Sequence, residues 1–167
     1  MPQPLDNKND ALKFAMKLIG LRRRSEAEIR QRLADKGCDA ALTEETVAEL
    51  YRYKYLDDEA FAESYINDRM NFRPVGRFVL KNELEKKGIA KSIIEEKLAK
   101  LTSEEQELEM AKKLIEKKLR TSNLKDEKKL RDRIIYHLRS RGFSSEIISQ
   151  AMQNKLKSDK HIIHEND

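Results

Sequence analysis

The sequence predicts an all-α fold, an elongated tandem array of three three-helix repeats of the helix-turn-helix type. First, one pattern recurs around Gly37, Gly88 and Gly142, which lie 51 and 54 residues apart in a chain of 167 residues. A period of about fifty residues is typical of repeat architectures. Second, apolar residues lie eight and four positions before each glycine, and five and ten positions after it. This spacing follows the helical period, and no stretch follows the period of a strand.

Each of these glycines is predicted to end the second helix of its repeat. Glycine is favoured at the C′ position of a helix because the left-handed backbone there disfavours a Cβ atom. Valine in place of Gly88 should therefore destabilise the second repeat, since β-branched residues are poorly tolerated in that conformation. The third helix of each repeat begins just after the glycine. The first helix lies upstream, around residues 15–19, 62–66 and 111–115.

Capping residues indicate where several of these helices begin. Ser25 with Glu28 forms a capping box that opens the second helix of repeat one. Asp57 is a favourable N-cap for the first helix of repeat two, which also explains the Asp57-Asp58 pair without a metal or acid–base role. Ser103 with Gln106 forms a second capping box before the first helix of repeat three.

Turn residues complete the predicted organisation. Pro74 and Gly76 mark the turn before the second helix of repeat two. Residues 121–123 form the equivalent turn in repeat three, and the helix after it, about 124–141, is longer than its counterparts. The three repeats are placed at 10–56, 57–102 and 103–157, with flexible tails at 1–9 and 158–167.

Composition and charge narrow the classes of function. The chain has 35 Lys and Arg against 30 Asp and Glu, with a pI near 9.2. This mild basic excess is compatible with a nucleic acid or an acidic protein surface as partner. The lone Cys38 occupies an apolar repeat position and is predicted to be a small buried residue in a reducing compartment. The chain carries neither a secretory signal nor a membrane-length apolar run, so we expect a cytoplasmic protein.

No motif in the sequence predicts catalysis or a cofactor. Phosphate-binding, dinucleotide-binding and zinc-protease patterns are all missing from the chain. We therefore expect a protein that is not an enzyme and that holds neither a cofactor nor a metal.

The candidate binding residues are cations on the first two helices of repeats one and two. They are Arg22, Arg23, Arg24, Arg30, Arg32, Lys36, Arg69, Arg73, Arg77, Lys81, Lys86 and Lys87. Arginine suits such a surface because its guanidinium binds phosphate and carboxylate groups in a bidentate manner. Two interpretations remain open: a basic stripe that faces a polyanion or an acidic protein groove, or solvated helix faces whose charges pair within the fold.

Three tyrosines alternate between repeats one and two. Tyr51, Tyr53 and Tyr55 would point in different directions on a helix, so they do not form one stacking platform for bases. They are interpreted as packing residues between the repeats, with a contact surface as the alternative.

Three segments resemble the RecX family. The first runs from Leu21 through Arg22-Arg23-Arg24-Ser25-Glu26-Ala27-Glu28-Ile29 to Leu33 and Lys36-Gly37. The second is Tyr55-Leu56-Asp57-Asp58-Glu59-Ala60-Phe61-Ala62, and the third is Gly76 followed by Glu83-Leu84 and Lys87-Gly88-Ile89. Together they cover about residues 11–101, and their tandem order and spacing make the resemblance specific.

The resemblance implies a function as well as a fold. It implies an all-α protein of three tandem three-helix repeats that binds the RecA recombinase, lodging in the helical groove of the RecA filament on single-stranded DNA. Such a protein modulates, and most often inhibits, the ATPase, recombinase and coprotease activities of RecA in DNA repair and the SOS response. We expect it to act as a monomer. The alternative function is sequence-independent DNA binding, in which the basic stripe tracks phosphates.

Overall fold

The computed structural model describes residues 5–123 and 126–153, and every regular element in those ranges is a helix. In chain order the helices are α1 (Lys8–Leu21), α2 (Glu26–Ala34), α3 (Ala40–Arg52), α4 (Asp58–Phe72), α5 (Arg77–Lys86), α6 (Lys91–Leu101), α7 (Glu104–Thr121) and α8 (Glu127–Ser140). A ninth helical stretch, α9, occupies residues 145–153. The predicted all-α class is confirmed, and none of these described helices has the length and apolar content of a membrane span.

The three repeat glycines end their helices as predicted. Gly37, Gly88 and Gly142 have φ angles of 82°, 77° and 80°, in the left-handed region. In each case the amide of the following residue donates to the carbonyl of the leucine four positions before the glycine, at 3.1, 3.1 and 3.2 Å. This is the Schellman arrangement, which satisfies carbonyls at the helix end.

The predicted helix starts are also confirmed. The capping boxes Ser25 with Glu28 and Ser103 with Gln106 are both formed. The Asp57 carboxylate accepts a hydrogen bond from the amide of Ala60 at 2.9 Å and so caps α4. The turn with Pro74 and Gly76 leads directly into α5.

Two details differ from the sequence-based prediction. Helix α1 begins at Lys8, inside the segment 1–9 that was expected to be a flexible tail. Asn7 caps this helix by accepting a hydrogen bond from the Asp10 amide. Leu5 donates its amide to the Lys36 carbonyl at 3.0 Å. Helix α8 begins at Glu127 instead of 124, although its 14 residues do exceed the 9 of α2 and the 10 of α5. Residues 1–4, 124–125 and the predicted tail 158–167 lie outside the described residues.

The chain divides into two compact units, each with a core of its own. Unit 1 comprises the described parts of 1–65 and 83–97, and unit 2 those of 66–82 and 98–167. The core of unit 1 includes Ile29, Leu33 and Leu50 and also contains Cys38, whose predicted burial is confirmed. The core of unit 2 joins α7, α8 and α9 through residues such as Ile134 and Ile147.

Candidate functional site

In unit 1 the N-terminus of α2 is bonded to residues of the following repeat. The Ser25 hydroxyl, which accepts from the Glu28 amide, donates to the Lys87 carbonyl at 2.7 Å. The amide of Glu26 donates to the Asp58 carboxylate at 2.9 Å. The two adjacent aspartates therefore cap different helices, since Asp57 caps α4 and Asp58 caps α2 from the next repeat.

Unit 2 contains an equivalent contact at the N-terminus of α5. Gly76 donates its amide to the carbonyl of Arg141 at 2.9 Å, and Arg77 donates its amide to the Glu107 carboxylate at 2.9 Å. In both units the accepting carbonyl belongs to the residue immediately before a repeat glycine. We call this arrangement the seam. It satisfies free amides at a helix start with groups from the next repeat.

The seam carboxylates are held in surroundings that disfavour their charge. Burial raises the pKa of Asp58, and the hydrogen bond from the Glu26 amide opposes that rise only in part. Burial likewise raises the pKa of Glu107 against the hydrogen bond from Arg77. Each of these side chains therefore accepts a backbone amide at a helix start while its burial disfavours ionisation.

Each seam also brings a repeat glycine against the second helix of the preceding repeat. A Cβ atom on Gly88 would lie 2.2 Å from the Cβ of Ala27. A Cβ atom on Gly142 would lie 2.6 Å from Val79 Cγ2 and 2.7 Å from the Val79 amide nitrogen. The glycine is thus required twice, by its left-handed backbone and by the close approach of the neighbouring helix.

A double-mutant cycle at Gly88 separates these two requirements. We expect Gly88→Ala to destabilise the chain by about 2–3 kcal/mol, from backbone strain and from overlap with Ala27. In an Ala27→Gly background the overlap disappears and only the strain remains, so the same change should cost about 1–2 kcal/mol. Urea denaturation of the four proteins gives the comparison. Equal costs in both backgrounds would show that Ala27 does not constrain Gly88.

Next to the seam of unit 1, Glu28 is held by two of the predicted binding cations. Both Nη atoms of Arg22 donate to its carboxylate at 3.0 Å, and Lys87 Nζ donates at 3.2 Å. Burial acts to raise the pKa of Glu28, but the hydrogen bonds and charges of Arg22 and Lys87 outweigh it and hold the pKa at about 2. Arg22 and Lys87 therefore have structural roles that the sequence alone did not reveal.

A polar cleft of about 510 Å³ opens beside Glu28, between α2 and the end of α5. The structure brings together five of the twelve predicted cations along its wall: Arg22, Arg24, Arg32, Lys86 and Lys87. The Nε of Arg24 is buried and has no hydrogen-bond partner within residues 5–123 and 126–153. Burial, followed by the charges of Arg22 and Arg32, lowers the pKa of Arg24. An anionic group in this cleft would supply the missing acceptor and offset the repulsion among the arginines.

The remaining cations of unit 1 do not line this cleft. Arg30 is bonded to Glu26 and Glu44 at 2.6 and 2.8 Å, and Lys36 lies over the ring of Phe14 at 5.6 Å. Arg23 is exposed to solvent. The charge pairing expected under the solvated-face interpretation is therefore observed for part of the set. The cleft cations Arg32 and Lys86 stay exposed, although Arg32 also lies 3.6 Å from the Asp35 carboxylate.

The other four predicted cations belong to unit 2. Arg69 donates from Nη1 to the Arg73 carbonyl at 3.2 Å. The side chains of Arg73 and Arg77 are exposed, and Lys81 is half-buried. These residues flank the turn between α4 and α5 and are a second group of cations, in unit 2.

The three tyrosines are not packed as expected. Helix α3 ends at Arg52, so only Tyr51 is helical, and the side chains of Tyr51, Tyr53 and Tyr55 are 39%, 58% and 47% exposed. The hydroxyl of Tyr51 donates to Glu26 at 2.8 Å. The rings of Tyr53 and Tyr55 lie 6.4 Å apart. The expectation of divergent helical positions is wrong for these last two, because the backbone turns there.

Known proteins match the chain along most of its length. Family models for the first, second and third three-helix domains of RecX match residues 11–50, 57–98 and 104–152. The regulatory protein RecX of Pelodictyon phaeoclathratiforme is 34% identical over 148 residues, which cover 89% of this chain and 90% of that protein. The regulatory protein RecX of Bacillus velezensis is 33% identical over 148 residues.

Solved structures agree with the sequence comparisons. The crystal structure of RecX from Lactobacillus salivarius superposes with a TM-score of 0.81 at 26% identity, over 89% of this chain and 96% of that one. Some relatives are longer: the chain spans about half the length of the matched proteins from Bacillus velezensis and Bacillus pumilus, at 56% and 52%. Three family models in tandem order, with relatives above 30% identity, establish that this chain belongs to the RecX family of regulatory proteins.

Proposed function

We propose that this chain regulates the RecA recombinase by binding the RecA filament on single-stranded DNA in its helical groove. Binding there inhibits the ATPase, recombinase and coprotease activities of RecA. The observation that carries the proposal is the tandem match of all three repeats to RecX domains. The protein acts in the cytoplasm as a monomer.

The repeated seam supports a partner that is itself periodic. Tandem repeats of one sequence pattern present similar side chains more than once in the same chain, and a helical filament offers its binding sites repeatedly too. Several weak contacts in one chain then reach high avidity where their spacing matches. The relatives are named regulatory proteins and not enzymes. Accordingly, the chain changes RecA activity only by preferring one state of the filament over another.

The proposed contacts in unit 1 are cations on the wall of the cleft. These are Arg32 and Lys86, which are exposed, together with the half-buried Arg24, whose Nε has no acceptor among the described residues. Arg22 and Lys87 are less available because Glu28 already binds both. Acidic groups of the partner would enter the cleft and meet the arginine cluster.

The test is RecA-catalysed, single-stranded-DNA-dependent ATP hydrolysis, titrated with the full chain. We expect inhibition at substoichiometric protein. The double variant Arg32→Glu, Lys86→Glu should need about tenfold more protein for half-inhibition, because like charges then face the acidic partner. Undiminished ATP hydrolysis at excess wild-type protein would contradict the proposal.

A matched control tests the assignment of the cleft. The double variant Lys113→Glu, Lys117→Glu makes the same charge change at two exposed positions of α7. We expect it to inhibit like the wild type, with both variants retaining their thermal unfolding transition. The alternative function, DNA binding through phosphates alone, predicts an affinity that needs no RecA and falls steeply as salt rises.

A further inference from the structure

Two phenylalanines are exposed on either side of the turn that joins α4 to α5 in unit 2. The segment reads Phe72-Arg73-Pro74-Val75-Gly76-Arg77-Phe78, so a Phe–Arg pair precedes the turn and its mirror image follows it. The side chains of Phe72 and Phe78 are 80% and 69% exposed. Exposing rings of this size to water is unfavourable, and exposed apolar groups of this kind mark binding surfaces when they occur together.

The turn that carries these rings is held in place. Gly76 donates its amide to the Arg141 carbonyl at 2.9 Å, and Arg141 Nη1 donates to the Pro74 carbonyl at 2.9 Å. Val75 is only 5% exposed. The backbone between the two phenylalanines is therefore anchored by the seam of unit 2, and the rings project from a defined support.

The surroundings of the rings favour a polyanionic partner. Within residues 66–82 there are four cations, Arg69, Arg73, Arg77 and Lys81, and one carboxylate, Asp68. The exposed neighbours of the rings along the chain are polar, namely Asn71, Arg73 and Arg77. A protein interface would instead surround its aromatic anchors with a contiguous apolar core that is depleted of charge. Single rings between arginines are the arrangement found where bases stack and phosphates pair with cations.

We propose that this turn is a binding site for single-stranded nucleic acid. Bases stack on the rings of Phe72 and Phe78, while Arg73 and Arg77 contact the phosphates between them. The chain from Phe72 to Phe78 spans at most about 20 Å, so the site holds only a few nucleotides. Stacking does not distinguish one base from another strongly, and the site is therefore tolerant of sequence. This inference does not depend on RecA and can fail or succeed separately from the proposed function.

The experiment measures fluorescence anisotropy of a labelled oligothymidylate at low salt, with an abasic deoxyribose-phosphate oligomer of the same length as second probe. Both probes carry the phosphates, but only the first carries bases. We expect the wild-type chain to bind oligothymidylate at least about tenfold more tightly than the abasic oligomer. The variant Phe72→Leu, Phe78→Leu should lose this preference and keep its affinity for the abasic probe. The variant Phe72→Tyr, Phe78→Tyr should retain the preference, because it retains both aromatic faces.

Controls decide between this site and its alternatives. Tyr136→Leu removes another ring of unit 2, 74% exposed on α8, and should leave the preference unchanged. Equal affinity of the wild type for the two probes would overturn the proposal, since phosphates alone would then account for binding. A preference that survives in the leucine variant would overturn it as well. If the leucine variant bound both probes normally but inhibited RecA less, the rings would be docking residues for a protein.

Discussion

Gly76→Ala is expected to destabilise the chain by about 3 kcal/mol or more, although it adds a single methyl group. A Cβ atom at this position would lie 2.2 Å from the carbonyl oxygen of Gly142, 2.5 Å from its carbonyl carbon and 2.7 Å from the amide nitrogen of Phe143. All three are backbone atoms, so no side-chain rotation relieves the overlap. Gly76 is not among the glycines with positive φ, and the cost is therefore one of space and not of backbone conformation.

Thermal unfolding followed by circular dichroism measures this effect, with Gly20→Ala as the matched control. A Cβ atom on Gly20 in α1 would meet nothing within 4 Å. Alanine is the better helix former, so this change should stabilise the chain by about 0.5–1 kcal/mol. The same substitution is thus expected to have opposite signs at the two positions. A Gly76→Ala protein that melts at the wild-type temperature would show that the seam of unit 2 does not have this close packing.

Glu28→Gln is expected to lower the free energy of unfolding by about 2 kcal/mol, more than any other change of a single charge in unit 1. The substitution removes the charge that binds Arg22 and Lys87 and leaves two neighbouring cations without it. This expected loss is smaller than the free energy that corresponds to the lowered pKa of Glu28. The Glu28 side chain remains 20% exposed, so solvent screens part of its interaction with the two cations. Glu44→Gln is the control, since that partner of Arg30 is 69% exposed and its loss should leave the free energy of unfolding almost unchanged.

The same carboxylate contributes to the loss of stability in acid. The pKa of Glu28 is depressed from 4.5 to about 2 in the folded chain. Its contribution is therefore fully present above the unfolded pKa and is lost as the pH falls from about 4.5 towards 2. Asp58 and Glu107 act in the opposite sense, because their raised pKa values make the folded chain bind protons more readily. Urea denaturation between pH 2 and 7 should show that the free energy of unfolding falls less on acidification in Glu28→Gln than in the wild type. An identical profile for both proteins would exclude Glu28 as the source.

The repeats, their helices and most of their ends could be predicted because they depend on residues close together in the sequence. Gly37, Gly88 and Gly142 end helices through backbone geometry, and the serine capping boxes act over three residues. Such signals survive in any tertiary arrangement. The start of α1 at Lys8 was missed although its Asn7 cap acts over three residues. The Leu5 amide before it finds its acceptor only at Lys36, which is distant in sequence.

The candidate site depended on the packing of one repeat against the next, and no local pattern specifies that packing. Sequence by itself determined that the candidate cations lie on α2, α4 and α5 and in the turns beside these helices. Only the tertiary structure decided that Glu28 binds Arg22 and Lys87, while the Nε of Arg24 has no acceptor among the described residues. Likewise, the sequence places Asp58 beside Asp57 at the start of α4, and only the fold shows that Asp58 accepts the Glu26 amide at the start of α2. A hydrogen bond or an exposed ring depends on distances in space, whereas the periodicity of a sequence reports only which face of a helix a residue occupies.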